Sequence, residues 1–234
     1  MAPVVSLRSA VALAGRFPAL AGVDLTLEQG EVAVVAGPNG AGKTSLLRAC
    51  AGLLPVTSGE ATVLGVDLTE DHTAVRRYGG LLGHAAPLYD ELSAAENVRF
   101  AVRALGLPTS GADDALERLG LTGRLRTTPA GRLSAGQRRR VALAALVARR
   151  PALWLLDEPH AGLDAPTRDL LGRLIGEAVR DGASVLLSSH EPALSVPLAD
   201  RVVSMSGGRV TGEEKGGRRA ALSAVAPVEE HHVA

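Results

Sequence analysis

The chain has 234 residues, a formal net charge of zero, 46% hydrophobic residues and 2% aromatics. That length suits one domain, or one domain with a lobe; charge neutrality argues against the basic footprint of a general nucleic-acid binder, and the scarcity of aromatics removes the stacking platform of a single-strand binder. The single cysteine, Cys50, excludes an internal disulfide and a cysteine-rich zinc site and reads as a small buried apolar residue.

Met1 to Ala21 is a short mixed pattern broken by Arg8, Arg16 and Pro18, so no signal peptide is expected. No apolar run approaches the roughly 20 residues that cross a bilayer. The expectation is a soluble, cytoplasmic chain, with any membrane span supplied by another chain. Val4 to Ala12 reads as a strand. Gly22 to Leu27 alternates Val23, Leu25 and Leu27 with Asp24 and Thr26, the pattern of a half-exposed strand. Gln29-Gly30 turns into a buried strand over Glu31 to Ala36. Two antiparallel strands ahead of it predict a small β-subdomain packed on the core.

Gly37-Pro38-Asn39-Gly40-Ala41-Gly42-Lys43-Thr44-Ser45 follows that strand and opens a helix that runs to about Ala51. The spacing G-x-x-x-x-G-K-T in a strand–turn–helix context is the P-loop pattern. Glycines let the backbone curl until its N–H groups face a phosphate. The helix adds free N–H groups and the positive end of its dipole. Lys43 is placed to reach the β- and γ-phosphates of a nucleoside triphosphate, and the Thr44 hydroxyl to ligate magnesium. Gly52 reads as the residue just past the helix, with Pro55 preventing continuation.

Thr57-Ser58-Gly59 reads as a turn, Glu60 to Leu64 as a strand, Asp71 to Arg77 as a short helix, and Leu81-Leu82 as a strand ending near Gly83-His84. From about 85 to 150 the pattern is helical and predicts an all-α insertion. Ser93 with Glu96 forms a capping box for a helix to Gly106. Ala112 to Gly120 is a second helix. Ser134 caps a third, which runs to Arg149. Arg138, Arg139 and Arg140 on it read as a solvated face with one residue pairing across a subdomain boundary.

Ala152 to Leu156 is continuously apolar, as in a central parallel strand covered on both faces. Asp164 to Arg180 is an amphipathic helix, Ala183 to Ser188 a buried strand, Pro192 to Asp200 a short helical stretch, and Arg201 to Met205 a last strand. The organisation predicted is a single domain over 1–212 and a flexible tail over 213–234, in which His231-His232 is too short to form a metal site.

Asp157 and Glu158 close the Ala152–Leu156 strand, at the sheet edge where ligands of parallel α/β proteins sit. Asp157 suits a magnesium-holding role, and Glu158 is then aimed beyond the γ-phosphate, where a carboxylate can polarise water. The bland alternative is that one of the pair caps the next turn.

Leu133-Ser134-Ala135-Gly136-Gln137, placed after the insertion and before this strand, resembles the L-S-G-G-Q signature of the ATP-binding cassette (ABC) ATPases, with Ala135 in place of a glycine. Gly162-Leu163-Asp164 matches that family's D-loop and His190 its switch histidine, and the resemblance spans about Val4 to Gly212. It implies an α/β P-loop NTPase (ABC ATPase) core with a mainly parallel sheet, an N-terminal antiparallel β-subdomain and an inserted α-helical subdomain. It also implies ATP and Mg2+ as ligands, with Thr44 and Asp157 on the metal and Glu158 and His190 catalytic. Two cassettes then pair head to tail, as a homodimer here, so that Ser134, Gly136 and Gln137 act on the partner's nucleotide and Asp164 communicates across the interface. His84 stands where the family has its Q-loop glutamine. Phe17 is the nearest aromatic to the family's adenine-stacking position and reads equally as a core residue.

Within the family, Leu82-Gly83-His84, Leu92 to Phe100, Leu133 to Ala144 and Ala152 to Pro159 resemble the haem-exporter ATPases of cytochrome c maturation. The resemblance implies an exporter ATPase bound to separate permease transmembrane subunits at the inner face of the cell membrane, with Ala85 to Glu91 lining the permease contact and no nucleic acid involved. Drug and lipid exporter ATPases share much of this pattern. A soluble ABC ATPase of translation or repair is the rival from another class, but the chain has neither a second cassette nor a coiled-coil arm. A GTPase is disfavoured by the lack of an N-K-x-D motif.

Overall fold

A computed structural model describes residues 2–85 and 87–218. In chain order its strands are β1 (Val5–Ala14), β2 (Phe17–Leu27), β3 (Val32–Ala36), β4 (Val56–Val63), β5 (Val66–Asp67), β6 (Gly79–Leu82), β7 (Leu153–Asp157), β8 (Ser184–Ser189), β9 (Arg201–Ser206) and β10 (Arg209–Lys215). The helices are α1 (Lys43–Cys50), α2 (Leu68–Asp71), α3 (Ala94–Arg103), α4 (Ser110–Arg118), α5 (Gly123–Thr127), α6 (Ala135–Arg149), α7 (Ala165–Arg180) and α8 (Pro192–Ser195).

The main sheet has the order β10-β9-β3-β8-β7-β6, parallel except for β10. A second, antiparallel sheet has the order β2-β1-β4-β5. Side-chain alternation splits β3 between two cores. Ala33 and Val35 face α1 and the antiparallel sheet, with Leu46, Leu47 and Leu155. Val32 and Val34 belong to the other core, with Leu156, Leu171 and the apolar faces of α3, α4 and α6. A strand buried on both faces reads as an unbroken apolar run, as β3 does; β7 and β8 are buried throughout too, but β7 ends on Asp157 and β8 has serines on either side of Val185–Leu187.

The helical region between β6 and β7 is built as its caps dictate. Ser93 and Glu96 make a reciprocal capping box at α3, and Ser134 and Gln137 make another at α6. It is tied to the core by an Arg118–Glu177 ion pair from α4 to α7.

Four local expectations are corrected. Thr57-Ser58-Gly59 is not a turn but lies within β4, opposite a bulge in β1 at Ser9 and Ala10. A Cβ on Gly59 would sit 2.4 Å from the Ser9 carbonyl, so the glycine serves close strand approach rather than chain reversal. The expected Asp71–Arg77 helix is not formed: α2 ends at Asp71, and only Ala74–Arg77 of that span is helical, as a 3-10 turn. α5 has no buried residue, and so no periodic apolar signal announced it. Finally, β10 runs past residue 212 to Lys215, pairing polar residues with β9 through backbone bonds that composition does not reveal. Residues 219–234, including His231-His232 and most of the expected tail, lie outside the described residues.

Candidate functional site

The C-terminal ends of β3, β6, β7 and β8 lie side by side, and the residues singled out in the sequence leave from them. The loop after β3 is shaped by glycines. A Cβ on Gly37 would meet the Met205 carbonyl at 2.2 Å, and Gly42, the residue capping α1, has φ 103°. An L side chain is strained at such a φ. Lys43 is 7% exposed, and its Nζ donates to the carbonyls of Gly37 (2.7 Å) and Pro38 (3.1 Å), which holds the ammonium over the loop. Pro38, Asn39, Gly40 and Ala41 complete the turn, and Ser45 lies in the first turn of α1. Cys50, near the end of α1, is buried, which pushes its thiol up to about 12.

Thr44 and Asp157 meet across the gap between α1 and β7. The Thr44 hydroxyl lies 2.9 Å from Oδ2 and 3.1 Å from Oδ1 of Asp157. Asp157 is 4% exposed and also accepts from the Ser188 hydroxyl at 2.6 Å. A hydroxyl beside a carboxylate is an all-oxygen donor set. It fits magnesium, which takes one or two carboxylates and completes its shell with water and phosphate oxygens.

Glu158 adopts φ 47°, in the left-handed region that a non-glycine residue rarely enters. Its N–H donates to Ser188 Oγ (3.1 Å), and its Oε2 accepts from the His190 N–H (3.1 Å) and lies 2.6 Å from His190 Nδ1. The carboxylate is thereby aimed along the ends of β7 and β8.

Ser134, Gly136 and Gln137 occupy the N-terminus of α6. Among the described residues no hydrogen bond joins them to the loop at 37–45; Ser134 and Gln137 bond each other, and a Cβ on Gly136 would lie 3.2 Å from the Gly162 carbonyl. Asp164 caps α7 through the Thr167 N–H (3.1 Å), and its bonds to Thr167 hold its carboxyl below the usual range. His84 is exposed just beyond β6. Phe17 is 78% exposed at the β1–β2 hairpin, which removes the core-residue alternative for it.

Two residues have contacts at the site that the sequence did not single out. Ser188 bridges Asp157 and Glu158; its only signal was a hydroxyl at the end of an apolar strand. Arg139, the middle arginine of the run on α6, is 6% exposed and binds carbonyls at the ends of β6 and β7. Of its neighbours, Arg138 pairs with Asp90 at 2.6 Å, and Arg140 reaches the Leu119 carbonyl. Within this run, among the described residues, the single tie across the subdomain boundary is thus Arg139, while the half-buried Arg138 and Arg140 bond within the helical region.

A family model described as "ABC transporter" matches residues 20–161. The cytochrome c biogenesis ATP-binding export protein CcmA of Bordetella bronchiseptica is 41% identical over 189 residues, covering 79% of this chain and 83% of that protein. The sn-glycerol-3-phosphate import ATP-binding protein UgpC 2 of Agrobacterium fabrum is 37% identical over 201 residues, covering 84% of this chain and 53% of that protein. Among solved structures, the dimeric ATP-binding cassette MJ0796 in a post-hydrolysis state with ADP and Pi superposes with a TM-score of 0.81 at 27% identity, over 90% of this chain and 98% of that one.

Proposed function

The chain belongs to the ABC transporter family as an ATP-hydrolysing subunit, and on that premise we propose that it drives export through a separate membrane permease, with haem for cytochrome c maturation as the cargo. The observation that carries the ATPase chemistry is the convergence of Lys43, Thr44–Asp157 and Glu158–His190 on one sheet edge. Lys43 and the N–H groups of the loop from Asn39 to Ser45 bind the β- and γ-phosphates of ATP. Magnesium, held by Thr44 and Asp157, would neutralise phosphate charge. Glu158 accepts a proton from a water whose oxygen bonds to the γ-phosphorus as the bond to the β,γ-bridging oxygen breaks, releasing ADP and phosphate. His190 orients the Glu158 carboxylate.

The separation of Ser134 from the P-loop supports a composite site. In this reading Ser134, Gly136 and Gln137 of a second, identical copy cover the γ-phosphate, Asp164 lies at the junction, and hydrolysis releases the pair. His84 lies just beyond β6 at the same sheet edge and takes the Q-loop place. Among the described residues no helix is long and apolar enough to cross a membrane; we place the protein peripherally on the cytoplasmic face. The segment 85–91, whose Ala86 lies outside the described residues, forms the permease contact. Its exposed Tyr89 stacks edge-on against Phe100 at 4.8 Å, an apolar knob beside the helical region.

Similarity to an export protein over 83% of its length supports export over import, since the import relative matches over only 53% of its own. The test is purification from membranes with the native partner, followed by photocrosslinking from position 89. A crosslink to a membrane subunit, with ATP turnover stimulated by the exported cargo, is expected. An ATPase recovered only with ribosomes or DNA would contradict the transport reading.

A further inference from the structure

Arg139 is a buried cation whose hydrogen-bond partners, among the described residues, include no carboxylate. Its Nη1 donates to the carbonyls of Gly83 and His84, the latter at 3.2 Å, and its Nη2 to those of Asp157 (3.0 Å) and Glu158 (2.9 Å). Among the described residues its Nε has no partner. Burial lowers its pKa, and the nearby Asp157 opposes that shift. Burying a charge against neutral acceptors is costly, and the bonds to four carbonyls are what offset that cost here.

The four carbonyls belong to two neighbouring parallel strand ends. One pair closes β6 at His84, the other closes β7 at the two acidic residues. A planar guanidinium presents its donors in a fixed fork and spans two such pairs, which a lysine point charge does not. The fork also completes the clamp on the Glu158 peptide. Ser188 holds its N–H and Arg139 its C=O, so the left-handed φ of 47° that aims the carboxylate at His190 is fixed from both sides. Arg139 itself stands five residues after Ser134 on one rigid helix.

We propose that Arg139 is a positioning residue for hydrolysis, locking α6 to Glu158 and to the His84 loop so that engagement of Ser134 and Gln137 reorients both together. The inference rests on the ATPase reading above. Arg149 supplies its control: it lies on the same helix, its buried Nε has no partner among the described residues, and it donates to the Gly79 carbonyl (2.9 Å) at the opposite end of β6, away from the acidic pair.

The experiment compares full-length R139M, R139K and R149M for thermal stability, nucleotide affinity by fluorescent ATP analogue, and steady-state turnover. R139M and R149M are both expected to melt earlier. R139M keeps nucleotide affinity within about twofold while kcat falls at least about tenfold, R139K recovers only part of that loss, and R149M keeps kcat within about twofold. In the double variant R139M/S188A, kcat falls little further than in R139M, because both changes release the same peptide. A folded R139M with wild-type kcat, or losses in R139M and R149M that track stability alone, would overturn the inference. Should R139M not fold, R139K carries the test: wild-type turnover in folded R139K overturns the proposal, and reduced turnover at unchanged affinity supports it. A wild-type protein with no ATP turnover would instead remove the ATPase reading, and the inference with it.

Discussion

His190 Nδ1 lies 2.6 Å from Glu158 Oε2, and the His190 N–H donates to the same oxygen at 3.1 Å. An ionised carboxylate only accepts, so Nδ1 carries the ring proton and Nε2 is left facing away, 3.7 Å from Glu191 Oε1. The carboxylate is therefore oriented from β8 by two donors of one residue. In the His190→Ala variant one of them is lost and the carboxylate is released to rotate. Turnover should drop about 10²-fold, the scale of a general-base contribution, with ATP affinity changed little. An assay pairing kcat with nucleotide Kd checks this; a loss confined to Kd would place His190 in binding.

Lys43→Ala removes the cation held over the loop by the Gly37 and Pro38 carbonyls. The β/γ-phosphates lose their counter-charge, and ATP affinity should weaken at least about 10²-fold, since a charge contact inside a site is worth several kcal/mol. Equilibrium titration with a fluorescent ATP analogue reads it, and near-normal affinity would refute the P-loop assignment.

Ser188→Ala breaks the bridge between the Glu158 N–H and Asp157 Oδ1. Leaving that part-buried N–H unpaired should cost about 1–3 kcal/mol of stability. Because Thr44 still faces Asp157, nucleotide binding should survive while kcat falls by about tenfold. Denaturant melts beside turnover assays distinguish this from a simple packing loss, in which kcat of the folded fraction would be unchanged.

His160 is 5% exposed, and its Nδ1 is without a partner among the described residues. Burial first, and then the neighbouring Arg168, lower its pKa; Arg139 adds to the fall, whereas Glu191 and Glu158 oppose it. The folded protein therefore favours the neutral ring, while the unfolded chain takes up a proton near pH 6.5. This residue makes stability complete above about pH 6.5 and lets it decline as the pH falls below that value toward the folded pKa. His160→Leu should show a smaller loss of Tm between about pH 7.5 and pH 5.5 than wild type. An equal loss would assign the acid sensitivity elsewhere.

The sequence was most legible where local chemistry and tertiary role coincide. The strand before Gly37, the glycines of the loop, the Ser93–Glu96 box and the apolar β7 and β8 each needed only a short window of residues. Ser134 was visible both as a cap and, with Gln137, as part of a family motif; that Gln137 completes a capping box is shown by the structure. Illegible were features decided by distant backbone. Gly59 looked like a turn residue because nothing nearby reveals the Ser9 carbonyl against which it packs. β10 carries charged residues, and only its pairing with β9 makes it a strand. Arg139 lay in a run of three arginines, and its burial depends on carbonyls 55 and 18 residues away.

The central claim is that the nucleotide on one copy's P-loop is covered by Ser134 and Gln137 of another. Its most direct test is the mass of the Glu158→Gln variant by size-exclusion chromatography with light scattering, with and without MgATP. That change preserves the P-loop contacts but removes the group that accepts the water's proton, so ATP should remain intact and hold two copies together. The account predicts a monomer without nucleotide, a dimer with MgATP, and a monomer again when Ser134→Arg is added to a protein that still binds ATP. A monomeric mass at saturating MgATP would contradict it.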